Sequence, residues 1–183
     1  MHLAALDLRP GYLVRYEGRM CKVVWWNILR NDRRQFVQLK LKDIQSGRVT
    51  EIKDSPDTKY ELLDNEELDL THSYRDGIDE VFFTENGDEV RCTVAAAEDA
   101  LLWPAETYVG FFVQDQLVSV APPKSSVVVV TETAPPVRGG GATGQKEAML
   151  ANGVKVKVGL LTNIGDKVRI DTETLEFKER VQG

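Results

Sequence analysis

The chain has 183 residues, 28% charged and 42% hydrophobic, with 23 Lys+Arg against 29 Asp+Glu for a formal net charge of -6. That length and balance fit one folded domain or several small ones, and no apolar run approaches the roughly 18 residues that a membrane span needs. Two cysteines, Cys21 and Cys92, and two histidines, His2 and His72, stand at no ligand spacing, which excludes a disulfide framework and argues against a metal site.

The start, MHLAALDLRPGY, has no basic n-region and no long apolar core, so no signal peptide is expected. Period-2 alternation then dominates, and helical periodicity is nearly absent. Leu13–Tyr16 and Met20–Trp26 read as strands around a tight hairpin at Glu17-Gly18. Trp25 and Trp26 are adjacent, so a strand sends one inward and the other outward. The outward ring is either a stacking platform or a packing surface for a neighbouring module. A loop at 27–35 follows, with Arg30, Arg33 and Arg34 in five positions. Phe36–Lys42 sets Val37, Leu39 and Leu41 on one face and Gln38, Lys40 and Lys42 on the other, which buries one face and wets the other. A turn at Gln45–Gly47 leads to a strand at Arg48–Ile52. The pattern predicts a small twisted barrel with three arginines at one end, either a solvated hairpin tip or a phosphate-contacting finger.

Pro56, Asp57 and the acidic run Asp64–Glu67 end the first module at residue 64. A second module, 65–126, carries strands at Leu68–Tyr74 and Val81–Phe83, turns at Arg75–Gly77 and Glu85–Gly87, and a hairpin of Tyr108–Gln114 with Leu117–Val120. Ala95–Leu102 is its one helix candidate, ended by Pro104. Pro122-Pro123 marks the second boundary. The third module, 127–183, opens on Ser126–Val130 and has a hairpin turn at Asn152-Gly153 before the alternating Val154–Val158. Further strands are expected at Lys167–Asp171 and Glu176–Val181. Charge divides along the same lines. Residues 1–64 hold 12 Lys+Arg and 9 Asp+Glu, residues 65–127 hold 3 and 13, and residues 128–183 hold 8 and 7. An asymmetry this sharp suggests modules with different neighbours. Five short strands per module suit small Greek-key barrels of the oligonucleotide-binding kind.

The segment from Arg138 through Gly139, Gly140 and Gly141 to Lys146 satisfies GxGxxG literally. A phosphate cradle needs a helix opening directly after the glycines, and only Gln145–Ala151 separates this loop from the Asn152-Gly153 turn. Nucleotide binding is therefore rejected. A flexible surface loop, or a backbone platform against nucleic acid bracketed by Arg138 and Lys146, remains. Carboxylates are plentiful, but none stands in an apolar setting with a partner base. Ser73, Ser125 and Ser126 have no histidine at motif spacing. No enzyme site is expected.

Lys146-Glu-Ala148, Gly153, Val156, Val158-Gly159, Thr162 and Gly165 follow a family signature, with Gly159 standing for its proline and Thr162 for its aliphatic. Lys40–Gly47, Tyr74–Gly77, Val118–Pro123, Asp171-Thr172, Glu176-Phe177 and Arg180-Val181 match in order. In these segments the chain resembles the bacterial translation elongation factor P family over essentially its whole length, with departures like those of its elongation factor P-like paralogues.

The resemblance implies an all-β fold of three consecutive barrels: a KOW/SH3-like barrel, then two OB-fold barrels, in an elongated tRNA-like outline. It implies a cytoplasmic, monomeric factor that binds the ribosome and rRNA beside P-site peptidyl-tRNA and promotes peptide-bond formation at consecutive prolines. It also implies no cofactor, no metal, no membrane and no enzymatic activity of its own. The hairpin tip, Arg30, Asn31, Asp32, Arg33 and Arg34, would meet the tRNA end; Asp32 would repel phosphate unless it pairs with an adjacent arginine, a pairing that would stiffen the tip. The loop Arg138, Gly139, Gly140, Gly141 and Lys146 would contact RNA. An ungapped alignment puts Asp32 where the family usually carries a modified Lys or Arg, so lysylation is not implied. The third-module loop also lacks the family's Gly-Asp-Thr. The alternative reading is a free-standing single-stranded nucleic-acid-binding OB-fold protein.

Overall fold

A computed structural model describes residues 1–137 and 144–182. Among the described residues the fold is all-β apart from one helix and one short 3-10 turn, and the strands form three half-barrel sheets. The chain divides into two compact units, Met1–Ala97 with Gly110–Val120, and Glu98–Val109 with Ala121–Gly183.

The first sheet contains β1 (His2–Ala4), β2 (Leu13–Tyr16), β3 (Arg19–Arg30), β4 (Gln35–Asp43), β5 (Val49–Asp54) and β6 (Lys59–Leu62), in the order β1-β6-β2-β3-β4-β5. Glu17 at φ 50 and Gly18 at φ 75 turn β2 into β3, the left-handed pair that matches strand twist in a two-residue hairpin. Val37, Leu39 and Leu41 point inward as alternation requires, and with Ala5, Leu8, Val14, Val23 and Tyr60 they form the barrel core. Two details differ from expectation. The β3–β4 loop is four residues rather than nine, because both strands continue outward past the barrel. The sheet also gains β1 and β6, which pair His2 with Glu61 and Ala4 with Lys59. Strands of three and four residues carry too little pattern to be read locally.

The second sheet contains β7 (Glu66–Asp76), β8 (Asp79–Thr84), β9 (Glu89–Thr93), β10 (Tyr108–Val113) and β11 (Gln116–Ala121), ordered β11-β10-β7-β8-β9. The helix α1 (Val94–Leu101) follows β9 directly. Thr93 caps it, its Oγ1 accepting from the Ala96 N–H at 3.3 Å and donating to the Ile44 carbonyl of the first sheet at 3.3 Å. Leu13, Ile44 and Leu63 are buried together against Ala96, Phe111, Val113 and Val118, so these two sheets share apolar contacts within one unit. Barrels of about 60 residues are marginal alone, and this shared burial offsets that.

Two positions in this sheet are sensitive. A Cβ on Gly110 would stand 2.4 Å from Leu70 Cδ1 and 3.0 Å from Leu117 Cδ1, and Leu70 is only 1% exposed. Glu80 is 1% exposed and accepts from Arg75 Nε at 2.6 Å, with His72 Nε2 at 2.8 Å. Burial alone would raise its pKa, but the hydrogen bonds from His72 and Arg75 outweigh that and hold the carboxyl below the usual carboxylate range.

The third sheet contains β12 (Ser125–Thr133), β13 (Gln145–Leu150), β14 (Lys155–Gly159), β15 (Lys167–Asp171) and β16 (Phe177–Val181), ordered β14-β13-β12-β15-β16. Val128, Val130, Leu150, Val156, Val158, Val168 and Ile170 pack around Trp103, which arrives from the 98–109 segment of the same unit. Tyr108 donates to the Trp103 carbonyl at 2.7 Å and Ser126 to the Pro104 carbonyl at 2.5 Å, which fastens that segment to the barrel. The expected hairpin at Asn152-Gly153 is a three-residue turn. Gly153 sits at φ 82, and its N–H reaches the Leu150 carbonyl at 2.9 Å.

Gly110→Ala should lower unfolding free energy by about 1–3 kcal/mol, as overpacking of a filled core does, read from denaturant midpoints. Glu80 makes a second measurement informative. A carboxylate whose folded pKa is depressed contributes stability above its unfolded pKa of about 4.3, lost as pH falls through the folded pKa. The wild-type chain should therefore lose more stability between about pH 5 and pH 2 than Glu80→Gln, measured by urea unfolding.

Candidate nucleic-acid interface

The finger is built by strand pairing. β5 ends at Asp54, opposite Val37, and β2 meets β3 no further than Leu13 opposite Lys22. Beyond those points Leu29 pairs with Phe36 and Arg30 with Gln35, a two-stranded ribbon carrying the loop Asn31–Arg34. Its root is anchored. Trp26 faces the core, donating from Nε1 to the Ala5 carbonyl at 2.9 Å, with the Arg9 guanidinium 4.7 Å over its ring.

The loop is closed by Asn31. Its Oδ1 accepts from the backbone N–H of Arg34 at 2.8 Å and of Arg33 at 3.2 Å, and its own N–H donates to the Arg34 carbonyl at 3.0 Å. A side-chain carbonyl that gathers N–H groups two and three residues on is the asparagine turn. The expected stiffening by Asp32 is therefore corrected. Asp32 is exposed and makes no ion pair among the described residues, while Asn31 holds the tip. Arg30, Arg33 and Arg34 are likewise exposed, with no carboxylate partner among the described residues. The structure thus brings all five predicted tip residues to one place. It leaves three guanidinium groups facing solvent and leaves Asn31 its Nδ2 donor alone for a ligand.

The third-module candidates fare differently. Arg138, Gly139, Gly140 and Gly141 lie outside the described residues. Lys146 lies on β13, and its Nζ donates to the Thr162 carbonyl at 2.6 Å and to the Ala134 carbonyl. It is a strap across its own barrel rather than a cation held out for RNA. Alternation contained the signal, because Lys146 shares a face with the buried Ala148 and Leu150. No helix follows the glycine segment. β13 begins there and pairs at once with β14, Gln145 opposite Gly159, in keeping with the rejection of a nucleotide cradle. The two departures from the family signature meet here. The Phe177 ring stands 3.4 Å from where a Gly159 Cβ would lie, and the buried Thr162 donates its N–H to the Gly159 carbonyl at 3.1 Å.

The rest of the titratable chemistry is structural. Burial pushes the Cys21 thiol up to about 11 and the Cys92 thiol up to about 12, so neither is a nucleophile at neutral pH. Among the described residues no cluster of His, Cys, Asp and Glu is placed to hold a metal ion, and no helix is long and apolar enough to cross a membrane.

The family Elongation factor P, C-terminal, matches residues 127–180. The Elongation factor P of Thermoanaerobacter sp. is 34% identical over 186 residues, covering 98% of this chain and 100% of that protein. The chain belongs to the elongation factor P family. The Elongation factor P of Caldanaerobacter subterraneus subsp. tengcongensis is 33% identical, over 98% of this chain and 100% of its own length. Among solved structures, Eukaryotic translation initiation factor 5A from Methanococcus jannaschii is 11% identical, over 66% of this chain and 93% of that one, at a TM-score of 0.45. Members of the elongation factor P family are translation factors, so the coarse role of this chain is in elongation.

Asn31→Ala should loosen the tip. Loss of two side-chain acceptor contacts at an exposed turn is worth about 0.5–1.5 kcal/mol locally. The Arg33 and Arg34 amides should exchange with solvent several-fold faster, measured by hydrogen exchange, while amides of β4 inside the barrel keep their protection.

Proposed function

We propose that this factor binds the ribosome beside P-site peptidyl-tRNA and promotes peptide-bond formation at consecutive prolines by restraining the tRNA end. The observation that carries this reading is the finger: a stiff ribbon ending in three solvent-facing guanidinium groups on a closed turn. Guanidinium groups bind phosphate through paired, charge-assisted hydrogen bonds. Proline reacts slowly because its ring restricts the reactive geometry. A restraint supplied in advance by binding raises the frequency of that geometry, and proximity effects of this kind reach about 7–11 kcal/mol in the best-oriented reactions. The factor itself contributes no reacting group, and the chemistry belongs to the ribosome.

The remaining assignments follow the same reading. The three modules, 1–64, 65–126 and 127–183, act as a monomer in the cytoplasm. The glycine segment of the third module approaches RNA through backbone N–H groups and Arg138. The acidic second module faces solvent or basic proteins, where its charge also discourages adventitious adhesion to RNA. The tip acts with arginine, since no lysine stands between Asn27 and Phe36.

Reversing Arg33 and Arg34 to Glu should abolish rescue of a proline-stalled reporter, while the melting curve stays that of the wild type. Undiminished rescue by that variant would falsify the assignment of the finger.

A further inference from the structure

One face of the first sheet is not used by this reading. The outward residues of β3, β4 and β5 form rows across the strands. Lys22, Lys42 and Val49 make one row, Trp25, Lys40 and Glu51 the next, then Asn27, Gln38 and Lys53, then Leu29 with Phe36 at the base of the finger. Seven of the twelve basic residues of the first 64 stand on this face or its tip, against two of the nine acidic ones, Glu51 and Asp32. The face is therefore cationic beyond what the module's average charge requires.

Trp25 reaches this face through a β-bulge. The register runs Val23 opposite Leu41, then Trp25 opposite Lys40, so Val24 is the extra residue. An unbroken ladder would place Val24 beside Lys40 and turn Trp25 inward against Leu39. Trp25 instead stands 36% exposed with the Lys40 Nζ 5.2 Å from its ring centroid. Phe36 repeats the arrangement one end over, with the Lys53 Nζ at 4.5 Å. A base laid against either ring meets, in the same contact, a cation for its phosphate. Successive rows recur about every 7 Å along a strand. That is close to the separation of neighbouring phosphates in an extended nucleic-acid strand.

We propose that the outer face of β3–β4–β5 is a second RNA contact, continuous with the finger, in which Trp25 stacks on an unpaired base and Lys40 and Lys53 meet the adjoining phosphates. The proposal rests on the ribosomal reading above and adds to it the class of ligand, an unstacked nucleotide with its backbone. Charge complementarity selects RNA over a protein partner here, because Lys40 and Lys53 flank the two rings and continue into the three tip arginines, against one carboxylate, Glu51. An acidic peptide would satisfy the lysines but would leave the ring-and-cation pairs without a planar partner.

The test uses the full-length chain and ribosomes carrying peptidyl-tRNA, with binding measured by co-sedimentation across a salt series. The double variant Lys40→Gln/Lys53→Gln should bind about tenfold more weakly near 0.1 M salt, and its slope of log affinity against log salt should fall by roughly one to two. Trp25→Ala should weaken binding by about tenfold with the slope unchanged, and Trp25→Phe should recover most of it. Trp25 replaced by photoreactive benzoylphenylalanine should crosslink to rRNA or tRNA. Unchanged affinity and slope in the lysine variant, or crosslinks confined to ribosomal protein, overturn the proposal. The two readings fail separately. A wild-type chain that does not bind ribosomes removes the ribosomal role itself. Wild-type binding with losses in Arg33→Glu/Arg34→Glu, but none in the face variants, removes only this contact.

Discussion

The antiparallel pairing of β3 with β4 is the constraint on which the rest depends. It runs from Cys21 opposite Asp43 to Arg30 opposite Gln35, and its β3 is the longest strand among the described residues. At its inner end it carries Val23, Val37, Leu39 and Leu41, which the barrel buries. At its outer end it has no flanking strands and carries arginine. One pair of strands therefore ties the apolar burial that stabilises the module to the display of charge that serves its task. A register slip of one residue would turn the apolar set of β4 outward and undo the base from which the tip projects.

Three guanidinium groups within five residues repel one another, and a flexible loop would relax that repulsion by spreading them or folding back onto carboxylates. Asn31 works against this by collecting the Arg33 and Arg34 amides, so the backbone between the cations is held while the side chains stay in water. Water keeps the repulsion small, and the polyanion of the proposed contact would remove it. The neutral carbonyl of Asn31 holds the turn without pairing with a guanidinium group, whereas the Asp32 carboxylate would neutralise one of the cations on which the proposed contact relies.

The second sheet handles charge differently. Most of its carboxylates are exposed, but Glu80 is enclosed with His72 and Arg75 against it. A buried carboxylate without those partners would be strongly destabilising, so this triad is a requirement of the sheet rather than a gain over an apolar core. The third barrel half-buries a cation, with the Lys146 ammonium held on the Ala134 and Thr162 carbonyls.

Much of this was legible without coordinates. Strict alternation in Phe36–Lys42 and Val154–Val158, Glu17-Gly18 and Asn152-Gly153 at turns, and the clustering of Arg30, Arg33 and Arg34 are local signals. Each depends only on the period of a strand or the conformational range of one or two residues. The sequence by itself thus determined the β class, the first hairpin and the cationic tip. Tertiary structure alone decided that β1 pairs with β6, that Asn31 rather than Asp32 organises the tip, that a bulge at Val24 turns Trp25 outward, and that Lys146 finds the Ala134 and Thr162 carbonyls. Those outcomes depend on partners brought together by folding, on a strand closing the sheet from the other end of a module or on carbonyls 12 and 16 residues away. No pattern of short period encodes which acceptor or which register a side chain will find.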